Sequence, residues 1–399
     1  MINRKVITLL LLALAMFLIA TNVQAALLFL ISASLIGLVV ISYAVPILVT
    51  SRLTTVRKMP AESFEGMPVV IRSEVSNRGW LPRFLLKVED QLARGGGGTV
   101  VWLPGGASRA VTYETALPRG VYTKAGLAAD SGAPFGVWHR RVSNEATAGI
   151  TIYPAYEEIP TFPILEPMSS PSETVHERRS AGSGYDYLGI REYRRGDSMR
   201  AVHWRSSARR GELVVKEFEE EIATPVSIVI DLKAGTAAGR AGDDSLDAAA
   251  RVAATLANYC LKAGHPLRLF AQDKEAVAKI ERPGFFPTLE WLAGLKANGR
   301  LDAAALVEEA IPFIGQRSTV ILIATSQKAD WADISAAVQA RRARLIVVLV
   351  DARSYGDKVS PTLEEISGEM AGARATLYGL MKGQDVKECL REPLNVTGR

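Results

Sequence analysis

Cysteine and histidine are scarce in this chain, with two of one and four of the other among 399 residues. Cys260 and Cys389 lie far apart in stretches patterned as helices, so reduced and buried thiols are expected and no metal spacing exists. His139, His176, His203 and His265 are scattered and form no ligand constellation. Excess charge of one sign is also small: the net charge is +5 with an isoelectric point near 9.1, and no nucleic-acid-reading motif accompanies it. Nucleic acid is therefore not expected as a partner. The four glycines Gly95–Gly98 are not a phosphate loop, because no Lys-Ser/Thr comes after them at the required spacing. No nucleophile–base pair stands out. Ser206 and Ser207 beside His203 are the nearest approach to one, at helical spacings that arise readily by chance.

Long apolar runs are present, and both are N-terminal. Val6–Val23 is broken only by Thr8, Thr21 and Asn22, and Ala25–Val49 carries no charge. As helices they would extend about 27 and 37 Å, enough to cross a bilayer core. The polar break Thr21-Asn22-Val23-Gln24 makes a hairpin of the pair. A cleaved signal peptide is the rival reading, but the second run would still anchor the chain. Arg4 and Lys5 precede the first run, and Arg52, Arg57 and Lys58 come after the second. Both ends then face the cytoplasm, with the remaining residues behind them, in a cytoplasmic (inner) membrane. This assigns residues 1–58 to a transmembrane helical hairpin.

Residues 59–155 read as a small β-sandwich. Val69–Val75 alternates, Phe84–Val88 continues, and Thr99–Leu103 and Ala110–Thr115 succeed them at turn-separated intervals. Residues 156–181, rich in Pro, Ser and Glu, read as a linker.

Residues 182–221 carry the densest information. Between Arg178 and Arg210 stand nine arginines and no lysine, against Asp186, Glu192 and Asp197. Exclusive use of a planar five-donor fork suggests defined geometry rather than solubility. Arg194–Asp197 reads as a turn, with Asp197 capping the next helix. Ser198–Arg210 reads as that one short helix, with Val202 or His203 and Ala208 marking one side and Arg205 and Arg209 another. Gly211 ends it, and Glu212–Glu219 alternates as a strand.

In order along this run come Asp186-Tyr187, Arg191-Glu192-Tyr193, Gly196-Asp197, Trp204, Ser207-Ala208-Arg209 and Val215-Lys216-Glu217. The set closely resembles the signature of the bacterial "domain of unknown function 58" family. Arg119-Gly120-Val121-Tyr122 and Pro134-Phe135-Gly136 resemble further segments of it, with Ser131-Gly132-Ala133 a departure. His203 is a second departure, where relatives can carry Asp. The residues singled out for partner binding or structure are Asp186, Arg191, Glu192, Tyr193, Arg194, Gly196, Asp197, Arg200, Trp204, Arg205, Arg209, Lys216 and Glu217.

From residue 222 onward strands and helices alternate. Val226–Leu232, Leu267–Ala271, Thr319–Ala324 and Leu345–Val350 are apolar strands, and Ser245–Ala263, Leu289–Leu295, Ala303–Ile311 and Ile334–Arg341 are helical. The succession predicts an α/β domain with a doubly wound, mainly parallel sheet over 222–399. It resembles the von Willebrand factor A-like domain that the family carries here. Such domains bind Mg²⁺ through D-x-S-x-S after the first strand, whereas this chain has Asp231-Leu232-Lys233-Ala234-Gly235. Asp231 survives, Lys233 and Gly235 occupy both hydroxyl positions, and Thr325 or Ser326 remains as a hydroxyl in the third loop, which lacks the Asp; no metal or other cofactor is expected.

Three readings of the charge cluster stand side by side. It is an ion-pair lattice that holds a loop; or a docking face; or, least, a hydrolase-like site using Asp186, Glu192 and Asp197 with Arg191 and Arg194. Binding of an anionic ligand or lipid is a further option. The family resemblance implies a membrane-anchored, non-enzymatic adaptor or scaffold working with a MoxR-type AAA+ ATPase, with other membrane or cell-envelope proteins as further partners.

Overall fold

Described in the computed structural model are residues 4–394, apart from 94, 124, 147–148, 165–169, 172–185, 195–196, 221–222, 241, 274–275 and 326–328. They divide into two compact units, Met1–Tyr153 and Pro154–Arg399.

The first unit begins with α1 (Arg4–Val23) and α2 (Ala26–Thr50), both long and apolar enough to cross a membrane. They run antiparallel: the Ser32 hydroxyl donates to the Ala13 carbonyl at 2.9 Å, and the Phe17 and Phe29 rings meet edge to face at 5.9 Å. The end of α2 differs from a simple span. Ser42, Pro46, Val49 and Thr50 are buried, and Val45 and Val49 belong to the core of the adjoining β-structure. The last turns of α2 are thus a structural part of the β unit, which apolarity alone did not distinguish.

That β-structure comprises β1 (Leu53–Lys58), β2 (Glu62–Phe64), β3 (Pro68–Asn77), β4 (Arg83–Asp90), β5 (Gly97–Leu103), β6 (Ser108–Ala116), β7 (Gly120–Tyr122), β8 (Ala125–Ser131), β9 (Arg140–Ala146) and β10 (Ile150–Tyr153). An antiparallel sheet in the order β1-β3-β6 and another in the order β5-β4-β8-β9 share a core of Leu53, Val75, Leu86, Val88, Leu103 and Leu127. Alternating burial along β3 and β4 is the period-2 pattern of strands with one face inward. Inside this unit the Arg57 guanidinium and the Asp90 carboxylate form a fully buried ion pair. Tyr113 donates to the same carboxylate, and Ser73 lies 3.0 Å from the tyrosine hydroxyl. Burial, with Asp90 beside it, pushes the Tyr113 hydroxyl well above the usual tyrosine range.

In the second unit the strands β11 (Asp186–Glu192) and β12 (Val214–Glu220) pair antiparallel around α3 (Trp204–Arg210). A six-stranded mixed sheet then forms from β13 (Val226–Ile230), β14 (Leu267–Asp273), β15 (Ala276–Glu281), β16 (Thr319–Thr325), β17 (Arg344–Val350) and β18 (Ala375–Leu380), in the order β15-β14-β13-β16-β17-β18. All neighbours are parallel except the edge pair β14–β15. The helices are α4 (Ser245–Lys262), α5 (Phe285–Gly294), α6 (Ala303–Ala310), α7 (Trp331–Ala340), α8 (Leu363–Glu369) and α9 (Val386–Cys389). β13 and β16 are buried at every position, as strands covered on both faces must be.

The start of the expected linker is docked rather than loose. Glu157 accepts backbone N–H bonds from Val386 and Lys387, at 3.1 and 2.9 Å, at the start of α9. Its own N–H donates to Thr255 on α4, and Phe162 is buried beside Tyr259 and Tyr378. Composition read this stretch as a spacer because its two aromatic anchors, Tyr156 against Phe285 and Phe162, are sparse among Pro and Glu.

Candidate functional site

The arginine-rich run folds into two parts with different physics. In the first, the strand β11 delivers Arg191, whose fork reaches both oxygens of Asp197 at 2.8 and 2.9 Å. The Asp197 carboxylate also accepts the Arg194 N–H at 2.8 Å, and the Asp197 N–H returns to the Arg194 carbonyl at 3.0 Å. Arg191 donates once more to the Glu192 carbonyl. The Asp197 side chain is 7% exposed. The Arg191 bonds, opposed by burial, hold its carboxyl below the usual carboxylate range. Asp197 therefore clamps the chain before it. The cap on the next 3₁₀ turn, Met199–Ala201, comes from Ser198, which corrects the expected role of Asp197.

The second part is α3. A single helix from Ser198 does not form, because Val202 bridges to Val215 and the His203 N–H donates to the Val214 carbonyl at 2.8 Å. Strand pairing holds those two residues out of the helix, which starts only at Trp204. His203 Nδ1 accepts the Ser206 N–H at 3.2 Å as the helix cap. Ser207, not Ala208, is the inward residue. Its hydroxyl contacts the His203 and Val214 carbonyls and accepts the Val214 N–H at 2.9 Å. Gly211 closes the helix with φ 73°, its N–H bonded to the Ser207 carbonyl. Such a left-handed stop is what glycine allows without a Cβ penalty.

At 100° per residue, Arg205 and Arg209 point opposite Ser207. Both are exposed, as are Arg200 and Arg210, and none of these four forms an ion pair among the described residues. Trp204 flanks them, 62% exposed, and Met199 and Leu213 are exposed nearby in sequence. The chemistry offered is a rigid aromatic and an arginine fork on one pinned helix, the composition that dominates protein–protein contact energies.

Glu192 is exposed, and the Tyr193 N–H is bonded to the Leu213 carbonyl. Lys216, on β12, is half-buried. Gly196 lies outside the described residues, and the side chains of Asp186 and Glu217 are likewise outside them. The candidate triad fragment is engaged in structure: the Ser207 hydroxyl holds β12 and the His203 ring caps α3. Burial pushes the Cys260 and Cys389 thiols up to about 12, so neither is a ready nucleophile.

Asp231 stands just beyond β13, 6% exposed, and its Oδ1 accepts the Lys233 N–H at 2.9 Å. The loop after it is stitched to Gly299 through the Ala234 N–H and the Leu232 carbonyl. Among the described residues no three His, Cys, Asp or Glu side chains gather as a metal site. A cleft of about 630 Å³ opens where strand order reverses between β13 and β16, lined by Lys233, Asp302, Asp330, Trp331 and Glu369. Open α/β sheets place their ligand crevices at such points. Sequence reading reached Asp231 and Lys233 there. It missed Trp331, a buried indole whose N–H has no partner among the described residues, and whose only sequence signal was its place after an apolar strand.

Residues 189–356 match the family described as "Protein of unknown function DUF58". Those residues belong to the DUF58 family. The chain is also 25% identical over 173 residues to the uncharacterized protein YeaD of Bacillus subtilis (strain 168). That alignment covers 42% of this chain and 40% of YeaD. A solved GH20 exo-β-N-acetylglucosaminidase from Vibrio harveyi, in complex with N-acetylglucosamine, superposes over 75% of this chain and 57% of its own. Its TM-score is 0.19 at 8% identity, and it carries no argument about fold or activity. The DUF58 match begins at Gly189 inside β11, so it takes in the Asp197 clamp, α3, Asp231 and the cleft residues Lys233, Asp302, Asp330 and Trp331, but not Glu369.

Proposed function

We propose that this DUF58 protein is a membrane-anchored, non-enzymatic adaptor whose docking face is the exposed side of α3, and that its partner is a MoxR-type AAA+ ATPase. The observation that carries the reading is the division of the arginine run. Asp197 and Ser207 hold a rigid frame, while Trp204, Arg205 and Arg209 stand in solvent, the two arginines without an ion pair among the described residues. An arginine lattice serving stability alone would bury those forks against carboxylates. A serine hydrolase bonds its serine hydroxyl to its histidine ring, whereas Ser207 and His203 are each tied to backbone groups.

The α/β sheet is read here as von Willebrand A-like. The support is its order, with five parallel strands and an antiparallel edge, and Asp231 at the carboxyl end of the first strand. The donor set does not suit a divalent cation: Lys233 replaces one hydroxyl ligand and Asp231 Oδ1 is held by a backbone N–H. The helices α1 and α2 are read as the anchor, in a bacterial cytoplasmic membrane, with the two units' soluble parts in the cytoplasm.

The test is affinity purification of the full chain from its host in mild detergent, with and without ATP, comparing wild type with the Arg205→Glu/Arg209→Glu variant. An ATPase recovered with wild type and lost with the folded variant is the expected result. Equal recovery with both removes α3 as the docking face, and no partner in either nucleotide state removes the adaptor reading.

A further inference from the structure

The first unit carries an apolar loop whose position beside α2 points to a specific environment. The Ser32–Ala13 bond fixes the register of the hairpin, so Arg4 at the start of α1 lies level with Ile41 of α2. Residues Ser42–Thr50 continue past that level for about 13 Å at 1.5 Å per residue and enter the β unit's core. Tyr43 sits just beyond the level of Arg4 and Lys5, where a membrane helix places its aromatic belt.

Against that tyrosine lies Trp138, with ring centroids 4.6 Å apart. Trp138 belongs to the loop between β8 and β9, Gly132-Ala133-Pro134-Phe135-Gly136-Val137-Trp138-His139. The loop is closed by the Gly136 N–H on the Gly132 carbonyl at 2.7 Å, with Gly136 at φ 65°. Its tip, Pro134 and Phe135, is exposed, Phe135 by 54%. On its downstream side stand His139 and Arg140, and His139 Nδ1 lies 3.5 Å from Asp130. A tight turn thus carries an apolar tip, an aromatic on the helix at the height of the basic helix start, and polar or basic residues behind it. This is the layering of an interfacial membrane contact.

We infer that the loop Gly132–His139 is a second membrane contact, with Pro134 and Phe135 immersed at the headgroup–acyl boundary of a phospholipid bilayer and Trp138 packed on Tyr43 in its aromatic belt. The inference rests on reading α1 and α2 as a membrane hairpin. The occupant is lipid rather than protein because Trp138 packs on Tyr43, which continues the exposed apolar surface of α2, so whatever surrounds that surface reaches the loop. The β unit would then meet the membrane at two places, through the docked end of α2 and through this loop.

Trp80 supplies an internal contrast. It is 82% exposed, more than Phe135, yet its loop is bound to the opposite end of this segment, through the Arg78 N–H on the Arg52 carbonyl at 3.0 Å. Exposure alone would insert it; position along α2 keeps it in water.

The experiment uses full-length protein in phosphatidylethanolamine–phosphatidylglycerol vesicles, with an environment-sensitive fluorophore on Leu14→Cys, Phe135→Cys or Trp80→Cys. Shallow and deep spin-labelled lipids act as quenchers, and the two native cysteines are buried, so unsubstituted protein is the labelling blank. Expected is strong quenching of the Leu14 probe by deep lipid and of the Phe135 probe by shallow lipid. The Phe135 signal should be several-fold above that of the Trp80 probe. A Phe135 probe quenched no more than Trp80, beside a quenched Leu14 probe, overturns this inference and leaves the hairpin standing. A silent Leu14 probe overturns the hairpin reading and this one with it.

Discussion

Arg57 and Arg205 are the same residue type in opposite circumstances. Arg57 sits in a strand beside Lys58, where the sequence marks it only as a flanking charge of the second apolar run, and it is fully buried against Asp90, with Tyr113 and Ser73 completing the cluster. Arg205 sits in the chain's most arginine-dense stretch and is exposed with no ion pair among the described residues. Ion pairing in the signature run is confined, among the described residues, to the Arg191–Asp197 clamp, whereas the β unit buries its Arg57–Asp90 pair completely. Local density of charge raises mutual repulsion, and a helix of seven residues cannot bury forks on every side. A solitary Arg and Asp on facing strands can be brought together and desolvated without that conflict.

The contrast can be broken most forcefully at its buried end. Asp90→Ala leaves Arg57 charged and unpaired in the core, and should destabilise the first unit by about 3–5 kcal/mol, read as a lowered urea midpoint in detergent. A loss under about 1 kcal/mol would mean the pair is hydrated in solution. Next is Asp197→Asn, which removes the carboxylate held by Arg191 and should cost about 1.5–3 kcal/mol at neutral pH. Its acid dependence has a definite sign. Because the folded carboxyl titrates below its ordinary range, the clamp is fully stabilising above the ordinary Asp value of about 4 and weakens as pH falls through the lowered folded value. The gap between wild type and Asp197→Asn should therefore close in acid, below that ordinary value. A gap independent of pH would deny the clamp its charge.

Smaller still is Ser207→Ala. It strands the Val214 N–H and frees α3 from β12, an expected loss of about 1–2 kcal/mol. The sharper readout is hydrogen exchange, which should accelerate at Val214 and through α3 while the Arg191–Asp197 turn stays protected. The weakest effect on stability belongs to Arg205→Glu/Arg209→Glu, within about 0.5 kcal/mol as for exposed positions away from structure. Should that variant melt instead, the arginines brace the fold and the contrast with Arg57 collapses.

Much of the architecture was legible before folding. The strands around Val226, Leu267, Thr319 and Leu345 are continuous apolar runs, and the helix at Ser245–Ala263 repeats small and apolar residues at helical spacing, so burial on both sides of a sheet was implied. The edge strand Ala276–Glu281 and the last strand Ala375–Leu380 were missed, the first because an edge alternates and the second because Gly379 interrupts its run. In the signature, the glycine stop at Gly211 and the outward pair Arg205 and Arg209 were readable from residue type and spacing. The break at Val202 and the inward hydroxyl of Ser207 were not, since both depend on pairing with β12, which comes later in the chain.

By itself the sequence determined which segments are apolar enough to be helices in lipid or strands in a core, and where glycine and arginine make special demands. These are properties of single residues and near neighbours. Only the tertiary structure decided which arginines lose their water and which keep it. It also decided that the end of α2 belongs to a β core, and that Trp138 meets Tyr43 from a distant part of the chain. Each of those outcomes depends on what another segment brings to the same place, and desolvation acts on that meeting rather than on composition.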